Sequence, residues 1–120
     1  MPAAAFFCGI TAACIIGLPL PLRLQELPVL HVGVPAPQRA LRSAGTVGHK
    51  LQLNHGDLLH RDGLRITAVA RTWCDLVTVL DLEDLVAAGD YIIHTRRPLA
   101  SQHELKEAVR IYRVGALPRA

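Results

Sequence analysis

The sequence predicts an α+β domain: a small, mostly antiparallel sheet of three to four strands covered on one face by three to four helices. Three observations carry this. Hydrophobic residues alternate with a period of two between residues 27 and 66, and the period changes to about 3.6 after Thr67. Strand-like runs come first and helix-like runs after, the order of an α+β chain rather than of alternating βαβ units. The length of 120 residues, with 51% hydrophobic and 19% charged side chains, suits one core and leaves no room for a second. Residues 1–120 are therefore read as one domain: an apolar helix and Pro-rich linker over 1–24, a small sheet over 27–66, and three helices over 67–116.

No charged residue occurs from Pro2 to Leu22. This stretch lacks the basic start of a secretory signal, and Gly17, Pro19 and Pro21 would break a membrane span. It reads instead as a buried helix from about Ala5 to Ile16, ended by Gly17, with the prolines preventing its continuation. Leu27 to Val34 reads as a buried strand bracketed by prolines, and the tract from Pro35 to Gly45 as a loop. Thr46 to Leu53 alternates as a second strand with Val47, His49, Leu51 and Leu53 on one face. Asp57 to Leu59 extends the sheet. Asp62-Gly63 is a hairpin turn pair, and Leu64 to Ile66 is the strand leaving it.

Thr67 is the expected N-cap of the next helix, with Val69, Trp73, Leu76, Val77 and Leu80 as its apolar stripe. Asp81 caps the following helix, with Glu83 and Asp84 in its first turn complementing the helix dipole. Leu82, Leu85, Val86, Ile92 and Ile93 are its expected buried side, while Ala87, Ala88 and Gly89 permit close packing. Ser101-Gln102-His103-Glu104 is a capping box opening the last helix, which buries Leu105, Ala108, Val109 and Tyr112 before Gly115 and Pro118 stop it.

Composition excludes several function classes. Thirteen Lys and Arg against ten Asp and Glu leave a net charge of +3, too little to argue nucleic-acid binding by itself. Cys8, Cys14 and Cys74 are odd in number and form no Cys-x-x-Cys pair, so neither a disulfide framework nor a four-thiolate zinc site is expected, and a reducing cytoplasm is the expected compartment. No Gly-x-Ser-x-Gly elbow and no phosphate-cradling Gly-rich loop occur, and no cofactor is implied.

Three groups of residues remain as candidates for chemistry. His49, His55, Asp57, His60 and Asp62 form the densest polar cluster and could supply a divalent-metal site, but their spacing matches no metal motif and a strand-turn-strand would scatter them over both faces. Arg71 and Asp75 stand four apart on a helix and can pair, with Asp90 a further partner joining two helices. Lys106, Arg110 and Arg113 lie at i, i+4 and i+7 on the last helix and, with Arg96 and Arg97, are the best nucleic-acid surface in the chain, against a solvated face partly neutralised by Glu107.

The blocks Gly48 to Leu51, Asp62 to Leu64, Ala70 to Leu76, Leu82 to Asp90 and Leu99 to Val109, with the opening ITAACIIGLPLP, resemble a family of actinobacterial proteins. That family joins a region similar to type IV toxin-antitoxin AbiEi antitoxins to a carboxy-terminal nuclease domain resembling very-short-patch-repair endonucleases. Departures are Val69, where the family tends to have Pro, and Cys8-Gly9, where it tends to have Ser-His. The family's Asp and Glu-x-Lys nuclease motif has no counterpart here, so the resemblance carries over no catalytic residue. It implies the middle domain of a larger protein or a short version of one. The expected function is non-enzymatic: binding a cognate toxin, an adjoining domain, or a second copy through the apolar amino-terminal helix, without a membrane. Direct DNA binding and a metal-dependent nuclease are the alternatives.

Overall fold

The computed structural model describes residues 4–26, 28–40 and 42–116, with side chains in the last helix as far as Tyr112. The architecture is α+β, but the sheet is larger and more mixed than the sequence predicts. Its strands are β1 (Phe6–Phe7), β2 (Leu30–Pro35), β3 (Thr46–Leu51), β4 (Leu58–Arg61) and β5 (Leu64–Thr67), in the order β3-β2-β1-β5-β4. Two of the four pairings are parallel, β2 with β3 and β1 with β5; the other two are antiparallel.

The centre of the sheet is the part that the sequence hides. Phe6–Phe7 lies inside the expected amino-terminal helix, yet Phe6 pairs with Gly33 and Phe7 with both Val32 and Ile66. Two residues are too few to show a period, and in an apolar run they read as helix. In the fold they bridge two halves of the sheet, and the helix α1 starts only at Gly9 (Gly9–Ile16). Its end is as expected: Gly17 adopts φ 92° and donates its N–H to the Ala13 carbonyl. Gly33 is needed for a separate reason. A Cβ there would stand 2.5 Å from Phe6 Cε2, so only glycine lets the fully buried Phe6 ring lie across β2.

The parallel β2–β3 pair is a departure from the mostly antiparallel sheet that was expected. Parallel neighbours usually need a crossover of a dozen or more residues containing a helix. Here the described residues between 36 and 45 contain no helix, in keeping with the loop expected there. The expected starts and ends also shift: β2 begins at Leu30, Leu27 lies outside the described residues, and β3 stops at Leu51. The hairpin between β4 and β5 forms as read, with Asp62 at φ 51° and Gly63 at φ 78°, the two positive values of a type I′ turn.

The helices after the sheet are α3 (Val69–Asp75), α4 (Leu82–His94) and α5 (Gln102–Ala116), preceded in the chain by the single turn α2 (Leu22–Gln25). Thr67 does not cap α3. It is fully buried in β5, the cap position belongs to Ala68, and the Thr67 hydroxyl sits 2.6 Å from that of Thr72. Thr72 donates to the Thr67 carbonyl, so Thr67 donates to Thr72, and a buried hydroxyl pair takes the place of the cap. The helix stops at Asp75 and continues as a 3-10 turn, Leu76–Thr78, which buries Leu76 and turns Val77 out to solvent.

Asp81 caps α4 as expected, its Oδ1 accepting from the Asp84 N–H at 2.9 Å. The Ser101–Glu104 box opens α5, with Glu104 N–H donating to Ser101 Oγ at 3.0 Å. Gly115 does not end α5, which runs to Ala116; Pro118 lies outside the described residues. On α4 the buried side is Ala88, Gly89 and Ile92 with half-buried Leu85, whereas Leu82 is 76% and Val86 52% exposed. The apolar arc of α4 is thus wider than the core it faces.

The main core joins α1 (Ile10, Ala12, Ala13, Ile16) to Leu18, Leu20, Leu24, Ile66, Leu76 and Ile92. A smaller cluster of Ala5, Val32 and Val34 meets it through Phe7. Phe6, Ile66, Leu76 and Ile92 are fully buried, and each such side chain contributes roughly 1.5–3 kcal/mol. Since α1 is covered by its own chain, the expected self-association through it finds little surface: Ile15 is half-buried and Cys14 is its exposed apolar side chain. No helix among the described residues is long and apolar enough to cross a membrane.

Candidate functional site

Two places bring side chains together. The first is a polar centre built on Arg71, which α3 carries beneath the loop between β3 and β4. The i, i+4 spacing sets Arg71 Nε 3.0 Å from Asp75 Oδ1, as the sequence predicts. Its Nη1 reaches Asp57 Oδ2 and the Gln52 carbonyl, both at 2.8 Å, and its guanidinium lies 5.5 Å from the Tyr112 ring centre. Asp57 Oδ2 also accepts from the Asn54 N–H, closing the loop that Arg71 holds. Asp90 is not part of this group: it is exposed on α4 and makes no ion pair among the described residues. The ion pair therefore ties α3 to the β3–β4 loop, not to α4.

Burial pushes the Asp75 carboxyl above its ordinary range, with Arg71 pulling it back, while burial and then Asp75 raise the Cys8 thiol to about 12. Cys74 is raised to about 11 for the same reasons. Neither thiol is a thiolate nucleophile at neutral pH. Beside this centre is a cleft of about 170 Å³ whose lining includes Cys8, His31, His49, Asp75 and Tyr112. His31 Nδ1 and His49 Nε2 face each other at 3.0 Å. The ring centres are 5.2 Å apart, about the separation of rings whose nitrogens point straight at one another. That alignment is an N–H···N hydrogen bond, not the converging bite of two ligands on one ion. Burial, then His49, lowers the affinity of His31 for a second proton.

The residues of the alternative metal cluster lie apart. His49 is engaged by His31, Asp57 by Arg71, and His55, His60 and Asp62 are exposed. Among the described residues no three His, Cys, Asp or Glu side chains are placed to hold a metal ion. No buried side-chain nitrogen or oxygen lacks a hydrogen-bond partner there either, so the polar centre satisfies itself. His31 escaped the sequence reading because a histidine within an apolar strand gives no pairing signal, and its partner is 18 residues away.

The second place is a groove of about 340 Å³ between α4 and α5. Trp73 from α3 forms part of its lining; its Nε1–H donates to the Leu85 carbonyl at 2.9 Å, and Gly89 allows the close approach, since a Cβ there would be 3.1 Å from Trp73 Cζ2. Val86, Ile93, Leu105 and Val109 are its apolar lining, with Asp90 on the α4 side and Lys106 on the α5 side. Leu82, one turn before Val86, prolongs the apolar strip over the surface. A signal for this groove existed in the sequence: Leu82 and Val86 make α4 apolar over more of its circumference than one core contact needs.

The basic residues do not form one free patch. Arg96, Arg97, Lys106 and Arg110 are exposed, but Arg110 is ion-paired with Glu107 one turn away, and the side chain of Arg113 lies outside the described residues. No protein-family model matches this sequence, and no curated protein is significantly similar to it.

Proposed function

We propose that this chain is a non-enzymatic, AbiEi-antitoxin-like domain of the cytoplasm that acts by holding a protein partner on the face formed by α4 and α5. The observation that carries this reading is the apolar strip Leu82–Val86, one turn apart on α4 and continuous with the apolar groove over Trp73. Exposed contiguous apolar surface rimmed by charge marks a protein contact. The self-satisfied polar centre supports the same reading: Arg71 uses its donors to fix the β3–β4 loop, and the histidines bond to each other. Three unpaired thiols agree with a reducing compartment. In this reading the partner is a toxin, an adjoining domain or a second copy of the chain, and the face, not a reaction, is the working part.

A photo-crosslinking residue in place of Leu82, in the producing cell, tests this. A discrete covalent adduct is expected, and none is expected when the same residue replaces His60 at the far sheet edge. Absence of an adduct at Leu82 in every growth phase would overturn the proposal.

A further inference from the structure

Resting on the reading of the α4–α5 face as a docking surface, we infer that its occupant is a second copy of this chain, packed about a two-fold axis that runs along the groove. The argument is one of charge and symmetry. The α4 wall is acidic: Asp90 lines the groove, and exposed Glu83 stands seven residues earlier, two turns away on the same side of the helix. On the α5 wall Lys106 lines the groove as its cation, while Arg110 one turn on is paired with Glu107. Asp90 and Lys106 do not pair with each other across the groove. Rotation by a half turn about an axis parallel to the two helices lays α4 of one copy over α5 of the other. Asp90 of each copy then faces Lys106 of the other, twice by symmetry, and the Leu82–Val86 strips close over Trp73 and Val109.

This is an isologous contact: one patch complements itself, as a closed dimer requires. An axis across the groove would set α4 against α4 and bring the acidic walls together, which the charges oppose. A stable interface takes roughly 800 Å² per partner, about a tenth of the 7869 Å² surface of the chain. A dissociation constant in the micromolar range is expected.

Sedimentation equilibrium of the full chain tests the inference with three variants whose exposed sites leave the core intact: Asp90→Lys, Lys106→Asp, and both together. Each single reversal creates two like-charge contacts and should weaken the dimer by at least about tenfold. The double reversal restores both pairs and should return the affinity to near that of the original chain. A chain that stays monomeric at several hundred micromolar, or a double variant as weak as the singles, overturns the inference. The Leu82 crosslink separates this failure from that of the docking reading. An adduct of twice the chain mass supports the second copy. An adduct with another protein leaves the docking face standing but refutes the dimer, and no adduct refutes both.

Discussion

Replacing Arg71 by leucine would leave Asp57 and Asp75 in place, 18% and 12% exposed, without the cation that joins them. The side chain makes four hydrogen-bond contacts at 2.8 to 3.2 Å, two with Asp75, one with Asp57 and one with the Gln52 carbonyl. Removing one partner from a buried ion pair typically costs about 3–5 kcal/mol, because the remaining charge keeps its desolvation and loses its compensation. Against a total stability of about 5–15 kcal/mol, that is a large fraction. The melting temperature should fall by at least about 12 °C, at roughly 4 °C or more per kcal/mol for a domain near this size.

The pH dependence gives a sharper test. Without Arg71 the buried Asp75 carboxyl loses the cation that pulls it back and its folded-state pKa stands further above its unfolded one, so the folded state binds more protons than the unfolded. Stability of Arg71→Leu should therefore be greatest in acid and be lost as pH rises through that folded value. Adding Asp57→Asn and Asp75→Asn should recover most of the loss and flatten the pH profile. Urea titrations followed by circular dichroism, run across pH on the three proteins, measure both effects. A loss under about 1 kcal/mol with no pH trend would refute the reasoning, since it would mean that solvent screens the triad as it does a surface pair.

Two further expectations follow from particular contacts. Gly33→Ala should cost about 1–3 kcal/mol through the clash with the immobile Phe6 ring, and Phe6→Leu should cost less in that background than in the original chain; additive losses in a denaturation double-mutant cycle would contradict the close approach. His31 has a lowered folded-state pKa, so the unfolded chain takes up the proton first and stability should drop as pH falls below the ordinary value of 6.5. Urea midpoints measured from about pH 7.5 to 5.5 should show this drop, and His31→Gln should reduce it; an unchanged slope in the variant would refute the role of the His31–His49 pair.

What could be read from the sequence was local. Gly17, Asp62-Gly63, Asp81 and Ser101–Glu104 each decide their conformation within four residues, through φ preference or a side chain reaching the nearest free N–H, and each appears where it was expected. Arg71–Asp75 was legible for the same reason. Asp57, 14 residues from Arg71, was not, because only the packing of the β3–β4 loop on α3 brings it there. The sheet order depends on contacts more distant still: Phe7 with Ile66, and β2 beside β3 in parallel. Thr67 shows a local rule giving way, its hydroxyl drawn from an N-cap into a buried pair with Thr72 by the demand that buried donors be satisfied. The α4 stripe misled in a different way, since periodicity reveals how much of a helix is apolar but not whether its own chain covers all of it.

Trp73 is the only tryptophan in the sequence, and it lines the α4–α5 groove with its indole N–H held by Leu85. The chain thereby carries its own optical reporter at the one face proposed to do work. Displacing water from that groove should shift the indole emission to shorter wavelength without any label, so occupancy can be titrated on the unmodified protein by intrinsic fluorescence.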